Sequence, residues 1–91
     1  MINVGIIGYG YWGPNLVRNF FAANDCCVAA VADARRERLQ NLARTFPGIA
    51  GVSAAEDVIN DPKIDAVVIA TPVNTHFPLA KKALLQGKHV L

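Results

Sequence analysis

Val4-Gly5-Ile6-Ile7-Gly8-Tyr9-Gly10-Tyr11-Trp12-Gly13 opens the chain with an apolar run that stops at a Gly-x-Gly-x-x-Gly hexapeptide. The run from Ile2 to Ile7 is broken only by Asn3 and Gly5, is too short for a helix, and is closed by glycines, so it reads as a fully buried strand. Pro14 stands where a helix would begin. Leu16, Val17, Phe20 and Phe21 then give one apolar helical face that ends near Ala23.

The same alternation repeats downstream. Cys27 to Ala32 is continuously apolar and ends in Asp33. Leu39, Leu42, Ala43 and Phe46 mark the inner face of a second helix, whose outer face carries Arg35, Arg36, Glu37, Arg38 and Arg44. Pro47 and Gly48 stop that helix, and Ile49 to Val52 reads as a brief third strand. Ser53 with Glu56 forms a capping-box pattern for a short helix through Ile59, followed by a turn at Asn60, Asp61 and Pro62. Ala66 to Ala70 is a fourth strand. Thr75 is placed to cap a helix that tolerates Pro78 in its first turn, turns Ala80, Ala83 and Leu84 inward, and ends at Gly87. His89 to Leu91 begins a fifth strand.

Uniformly apolar strands that alternate with helices imply right-handed crossovers and a sheet covered on both faces. The expected fold class is therefore α/β, a doubly wound parallel sheet, incomplete at its C-terminal side because the last strand stops short. Ninety-one residues make one domain at most. With 53% hydrophobic and 18% charged residues the chain should bury a core rather than stay disordered. A net charge of +2 is too small for the footprint of a nucleic-acid binder. No stretch approaches the roughly 20 apolar residues of a membrane span, and no signal peptide is evident. Neighbouring Cys26 and Cys27 point to opposite faces of an extended backbone and are read as reduced, which gives a cytoplasmic expectation.

The hexapeptide is weak alone, but after a strand and before a helix it meets the demands of dinucleotide binding. Gly8 permits the tight turn, Gly10 lets backbone approach a pyrophosphate, and Gly13 lets the helix pack against the strand. Helix-terminal N–H groups then face the phosphates. Asp33 ends the second strand twenty residues after Gly13, the spacing at which a carboxylate accepts ribose hydroxyls and NAD is favoured over NADP. It equally suits a helix N-cap. Arg35 and Arg36 lie near enough in sequence to offset the repulsion of a 2′-phosphate, so NADP stays possible, although a solvated helix face explains them as well.

Ala70-Thr71-Pro72-Val73-Asn74-Thr75-His76 follows the fourth strand, where parallel sheets bind ligands. Ala70, Thr71, Pro72 and Asn74 are candidate cofactor neighbours. His76 is either a general acid or base or a structural residue of the pocket wall. Tyr9, Tyr11 and Trp12 could cover a cofactor, face a second domain, or serve packing. No metal-ligand spacing, hydrolytic triad or P-loop lysine is present in the sequence.

The glycine motif, Val31-Ala32-Asp33, and above all Ala70-Thr71-Pro72 with His76, Ala80, Ala83 and Gly87-Lys88-His89-Val90-Leu91 resemble the N-terminal Rossmann domain of the Gfo/Idh/MocA oxidoreductases. The resemblance spans the whole chain. It implies a glycine loop on the pyrophosphate, Asp33 on the adenosine ribose, and Thr71 to Asn74 along the nicotinamide half. The run Gly10 to Leu16 is similar to members acting on nucleotide-linked or other modified sugars. Family members continue from this point into Glu-Lys-Pro, whose lysine takes part in catalysis, and into a substrate domain. Residues 1–91 are thus expected to be the N-terminal part of a dinucleotide-binding domain, with the substrate domain and every catalytic residue lying outside them.

The resemblance implies an NAD(P)-dependent dehydrogenase in which a hydride passes between the nicotinamide and a sugar, polyol or sugar-nucleotide hydroxyl. The expected partner is that small molecule, with homo-oligomeric association when full length, and the 91 residues alone are expected to be inactive. The alternative is a non-catalytic nucleotide-binding or redox-sensing module. An S-adenosylmethionine methyltransferase also has a glycine loop and an acidic strand end, but Gly13, Pro14 and the Thr-Pro loop argue against it.

Overall fold

The computed structural model describes residues 1–91, the side chain of Val73 excepted. Strands β1 (Ile2–Ile7), β2 (Cys26–Ala32), β3 (Ala50–Val52), β4 (Ala66–Ile69) and β5 (His89–Val90) form one all-parallel sheet in the order β3-β2-β1-β4-β5. Helices α1 (Gly13–Ala22), α2 (Arg36–Thr45), α3 (Ala55–Ile59) and α4 (His76–Leu85) fill the connections. The sheet grows outward from β1 through β2 to β3, then returns to the other side of β1 with β4. That reversal opens a crevice at the carboxyl ends of β1 and β4, the place where such sheets hold ligands.

Both sheet faces are covered, which is why the strands carry apolar residues at nearly every position. Val4 and Ile6 pack with Val17 of α1 and Leu42 of α2, whereas Ile7 packs with Val58 and Ile59 of α3 and Ala83 of α4. Ile6, Val17, Leu42 and Ile59 are fully buried, each contributing roughly 2 kcal/mol of transfer free energy. The pairing register between β1 and β2 slips after Val4, where Val28 is matched but Gly5 meets Ala30. The extra residue, Ala29, shifts the alternation, so that Val28 and Val31 share the α1/α2 face while Ala29 and Ala30 lie against the other.

The structure corrects several local expectations. Phe21 and Leu84 point outward, and Phe21 stacks obliquely on Phe46 at 5.3 Å. Leu79 takes the inward place expected of Leu84, and Ala43 is exposed. Ser53 and Glu56 form no capping box. Helix α3 starts one residue later than that pattern needs, with Ala54 at its N-cap, and Glu56 instead pairs with Lys82 of α4 at 3.2 Å. Thr75 occupies the N-cap of α4 but makes no capping bond, because a 3₁₀ turn over Val73–Thr75 precedes the helix and draws its hydroxyl to the Pro72 carbonyl. No helix among the described residues is long and apolar enough to cross a membrane.

Candidate functional site

The site forms where four strand ends are tied together. The Gly8 N–H donates to the Ala32 carbonyl at 2.7 Å, the Asp33 N–H to Val52 at 3.0 Å, and the Ala70 N–H to Ile7 at 2.8 Å. The chain turns sharply at Gly8, whose φ of 103° disfavours any L side chain, and a Cβ there would lie 3.0 Å from the Ala70 backbone. A Cβ on Gly13 would lie 2.9 Å from the Gly8 carbonyl oxygen, so α1 could not start this close to the turn with a larger residue. Among the described residues, none of the N–H groups from Gly10 to Gly13 donates to a protein acceptor. Together with the positive end of α1 they present donors suited to an anion.

Asp33 is 8% exposed and faces this loop. Its Oδ2 accepts the Tyr9 N–H at 2.8 Å, its Oδ1 accepts the Arg35 N–H at 2.8 Å, and Arg38 Nη1 stands 3.4 Å from Oδ2. The carboxylate therefore fixes the glycine loop and leads into α2 at the same time, as an N-terminal brace rather than a formal cap. One lone-pair position on Oδ1 stays open toward the cleft.

Two open clefts meet over the ends of β1 and β4. One, of about 590 Å³, runs past Gly8, Asp33, Arg35 and Ser53 to Asn74 and Pro78. The other, of about 900 Å³, is lined by Gly10, Tyr11, Trp12, Asn15 and His76. Ala70, Thr71, Pro72 and Arg38 line both. The first has the carboxylate and two arginines, the second has the aromatic residues. This continuity suits a ligand with two linked halves crossing the glycine loop.

Several expected site residues take places that sequence could not specify. Tyr11 and Trp12 are exposed and lie edge to face at 5.0 Å, forming a rim of the second cleft. Tyr9 contributes its main chain only, because its ring is buried in the core and lines neither cleft. Burial pushes its phenol above the ordinary range, against a smaller opposing pull from Arg18. The Nε2–H of His76 donates to the Thr71 carbonyl at 2.6 Å, while the Thr71 and Thr75 hydroxyls meet at 2.6 Å. These bonds hold the loop after β4 in shape, so His76 braces the pocket wall that it lines.

Arg38 was expected on the solvated face of α2 and is instead folded back over Gly10, while Arg36 lines neither cleft. The spacing of charges along α2 could not reveal this. What turns Arg38 inward is the closeness of its helical turn to the β2 carboxylate.

The model of the oxidoreductase family with an NAD-binding Rossmann fold, Gfo/Idh/MocA, matches residues 2–91. An uncharacterized oxidoreductase of Escherichia coli is 41% identical over 99% of the chain, which covers 25% of that protein. The structure of scyllo-inositol dehydrogenase from Lactobacillus casei with NAD(H) and scyllo-inositol superposes with a TM-score of 0.88 at 28% identity, over 99% of this chain and 27% of that one. Biliverdin reductase from Synechocystis, in complex with biliverdin and NADP+, gives 0.91 at 32% identity, over 98% and 28%. The chain thus spans about a quarter of the length of the relatives it matches.

Proposed function

The chain belongs to the Gfo/Idh/MocA oxidoreductase family, and from that premise we propose that residues 1–91 are the cofactor-holding part of a nicotinamide-dependent dehydrogenase of sugars or polyols. One observation carries the reading: the buried Asp33 carboxylate faces a glycine turn whose amides from Gly10 to Gly13 are free, at the junction of two continuous clefts. The cofactor, when bound, supplies or accepts a hydride.

Each residue has a part in that reading. Asp33 orients the adenosine ribose through the lone pair left on Oδ1. The N–H groups of Gly10 to Gly13 and the positive end of α1 hold the pyrophosphate, which Gly8 and Gly13 allow to approach. Thr71 and Pro72, held by the Thr75 and His76 bonds, form the floor on which the second half of the cofactor rests. Tyr11 and Trp12 shield its open side from water. No residue of this chain is assigned the substrate proton. The scyllo-inositol seen with the Lactobacillus casei relative supports a polyol or sugar hydroxyl as the other reactant.

Competition titration tests the cofactor assignment. The chain should bind NADH at one site, and S-adenosylmethionine should fail to displace it. Exclusive binding of the methyl donor, or a folded chain that takes up neither, would remove the assignment.

A further inference from the structure

We propose that the groove between α1 and α2 is a second, separate ligand site, which takes a small phosphate monoester: the phosphate lies between Arg18 and Arg38, above the Tyr9 phenol, and the apolar body lies against Pro14 and Phe46. The groove meets the two clefts described above only along Gly10, Tyr11 and Arg38. The inference does not depend on the cofactor reading.

The floor of the groove points to a ligand. Tyr9 is 5% exposed and its ring packs in the core, yet its hydroxyl has no hydrogen-bond partner among the described residues. No side-chain nitrogen or oxygen among those residues is sealed from solvent without a partner, so the Tyr9 hydroxyl reaches the surface. Of the three clefts around the glycine loop, Tyr9 lines only this one, of about 470 Å³, and its phenol opens there. A phenylalanine would supply the same ring to the core. A buried ring with a polar tip ordinarily finds a partner for that tip, and here the protein supplies none.

Charge selects the class of ligand. Arg18 lines the groove from α1 and Arg38 from α2, and no Asp or Glu lines it. Arg18 forms no ion pair among the described residues and holds only Asn15 Oδ1, at 3.3 Å. Arg38 spends Nη1 on Asp33 Oδ2 at 3.4 Å and keeps its other donors. Arg44 adds a third cation at the margin through its bond to Asn41, which lines the groove. The Arg18 charge also pulls on the Tyr9 phenol against the effect of burial, as a guanidinium on the hydroxyl side of the ring must. Donors thus come from two helices and from the floor. That arrangement suits the three free oxygens of a phosphate better than the two of a carboxylate. Pro14 and Phe46, the latter held by Phe21 at 5.3 Å, offer an apolar wall that an inorganic ion would leave uncovered and an ester group would fill.

The test is an amide chemical-shift titration of the intact chain with phenyl phosphate, inorganic phosphate and benzoate at about 0.15 M salt, where diffuse charge attraction is screened. Phenyl phosphate should give saturating shifts at Arg18, Asn41, Thr45 and Phe46, and should bind about tenfold more tightly than either of the others. Arg18→Gln, at an exposed helix position, should weaken phenyl phosphate about tenfold and leave NADH affinity unchanged. Tyr9→Phe, with its fold checked by circular dichroism, should weaken phenyl phosphate severalfold. Phenyl phosphate should still bind when NADH is in excess. Displacement by NADH would overturn the proposal, because the probe would then occupy the cofactor donors. Equal binding of all three probes, shifts that do not saturate or that spread evenly over Arg35, Arg36 and Arg44, or full affinity in Arg18→Gln would each overturn it as well.

Discussion

The two rims of the sheet use their polar groups in opposite ways. At the rim where β1, β4 and β5 begin, the donors of Asn3 and Lys88 are spent on the protein itself. Lys88 is buried and its Nζ donates to the carbonyls of Asp61 at 2.6 Å and Ile64 at 2.7 Å. The Asn3 N–H donates to Asp65 Oδ2 at 2.8 Å, and the Asn3 side-chain amide donates to the Lys63 carbonyl at 3.0 Å. At the opposite rim the amides from Gly10 to Gly13 are free, Asp33 keeps an acceptor position, and Tyr11 and Trp12 are exposed. Satisfied groups hold the fold, while unsatisfied groups in fixed positions are available to a ligand.

Substitutions can break that contrast to different degrees. The largest effect is expected for Gly8→Ala, where a Cβ meets the Ala70 backbone at 3.0 Å under a φ of 103°. We expect a loss of about 3 kcal/mol in urea unfolding together with loss of NADH binding, since both depend on the turn. Lys88→Met should lower stability by about 2 kcal/mol by leaving two carbonyls without a donor. In the folded variant the NADH dissociation constant should stay unchanged, because Lys88 lies at the far rim. A matching loss of affinity would mean that the rims are coupled.

Asp33→Asn should reverse that pattern. The amide retains one acceptor oxygen but loses the charge and the two acceptor positions of the other oxygen, so that one of the Tyr9 and Arg35 N–H groups loses its partner; NADH affinity should fall about tenfold and stability by about 1 kcal/mol. The smallest effect belongs to Glu56, paired with Lys82 on the surface. Its own backbone N–H and then Lys82 hold its carboxyl below the ordinary glutamate range. A lowered pKa gives stability that is present above the unfolded-state value and fades as pH falls through the folded-state value. Glu56→Gln should therefore shift the melting temperature at neutral pH by no more than replicate scatter, and any difference should vanish in acid.

Legibility in the sequence follows the range of the constraint. Gly8, Gly13 and Asp33 could be read because a turn, a close helix start and a strand end are set by residues near in sequence. The inner strands β1, β2 and β4 could be read because burial on both faces leaves an apolar run, whereas β3 and β5, exposed or half-buried, could be read from their place in the alternation of strands and helices. The Ser53 and Glu56 pattern misled because a two-residue match does not fix where α3 begins. Arg38 was out of reach for a different reason: its role depends on how α2 sits above Gly10, and a charge on a helix carries no mark of the turn that faces another element. Tyr9 was placed in the right loop, but whether its ring enters the cleft or the core depends on the packing of α1 and α2.

Mapping amide chemical shifts during an NADH titration tests the division between the rims most directly. The account predicts that the resonances of Gly10, Tyr11, Trp12, Gly13, Asp33 and Thr71 move together and saturate, while those of Asn3, Asp65 and Lys88 stay still. Movement centred on Asn3, Asp65 and Lys88, or a well-dispersed spectrum that NADH leaves unchanged, would contradict it.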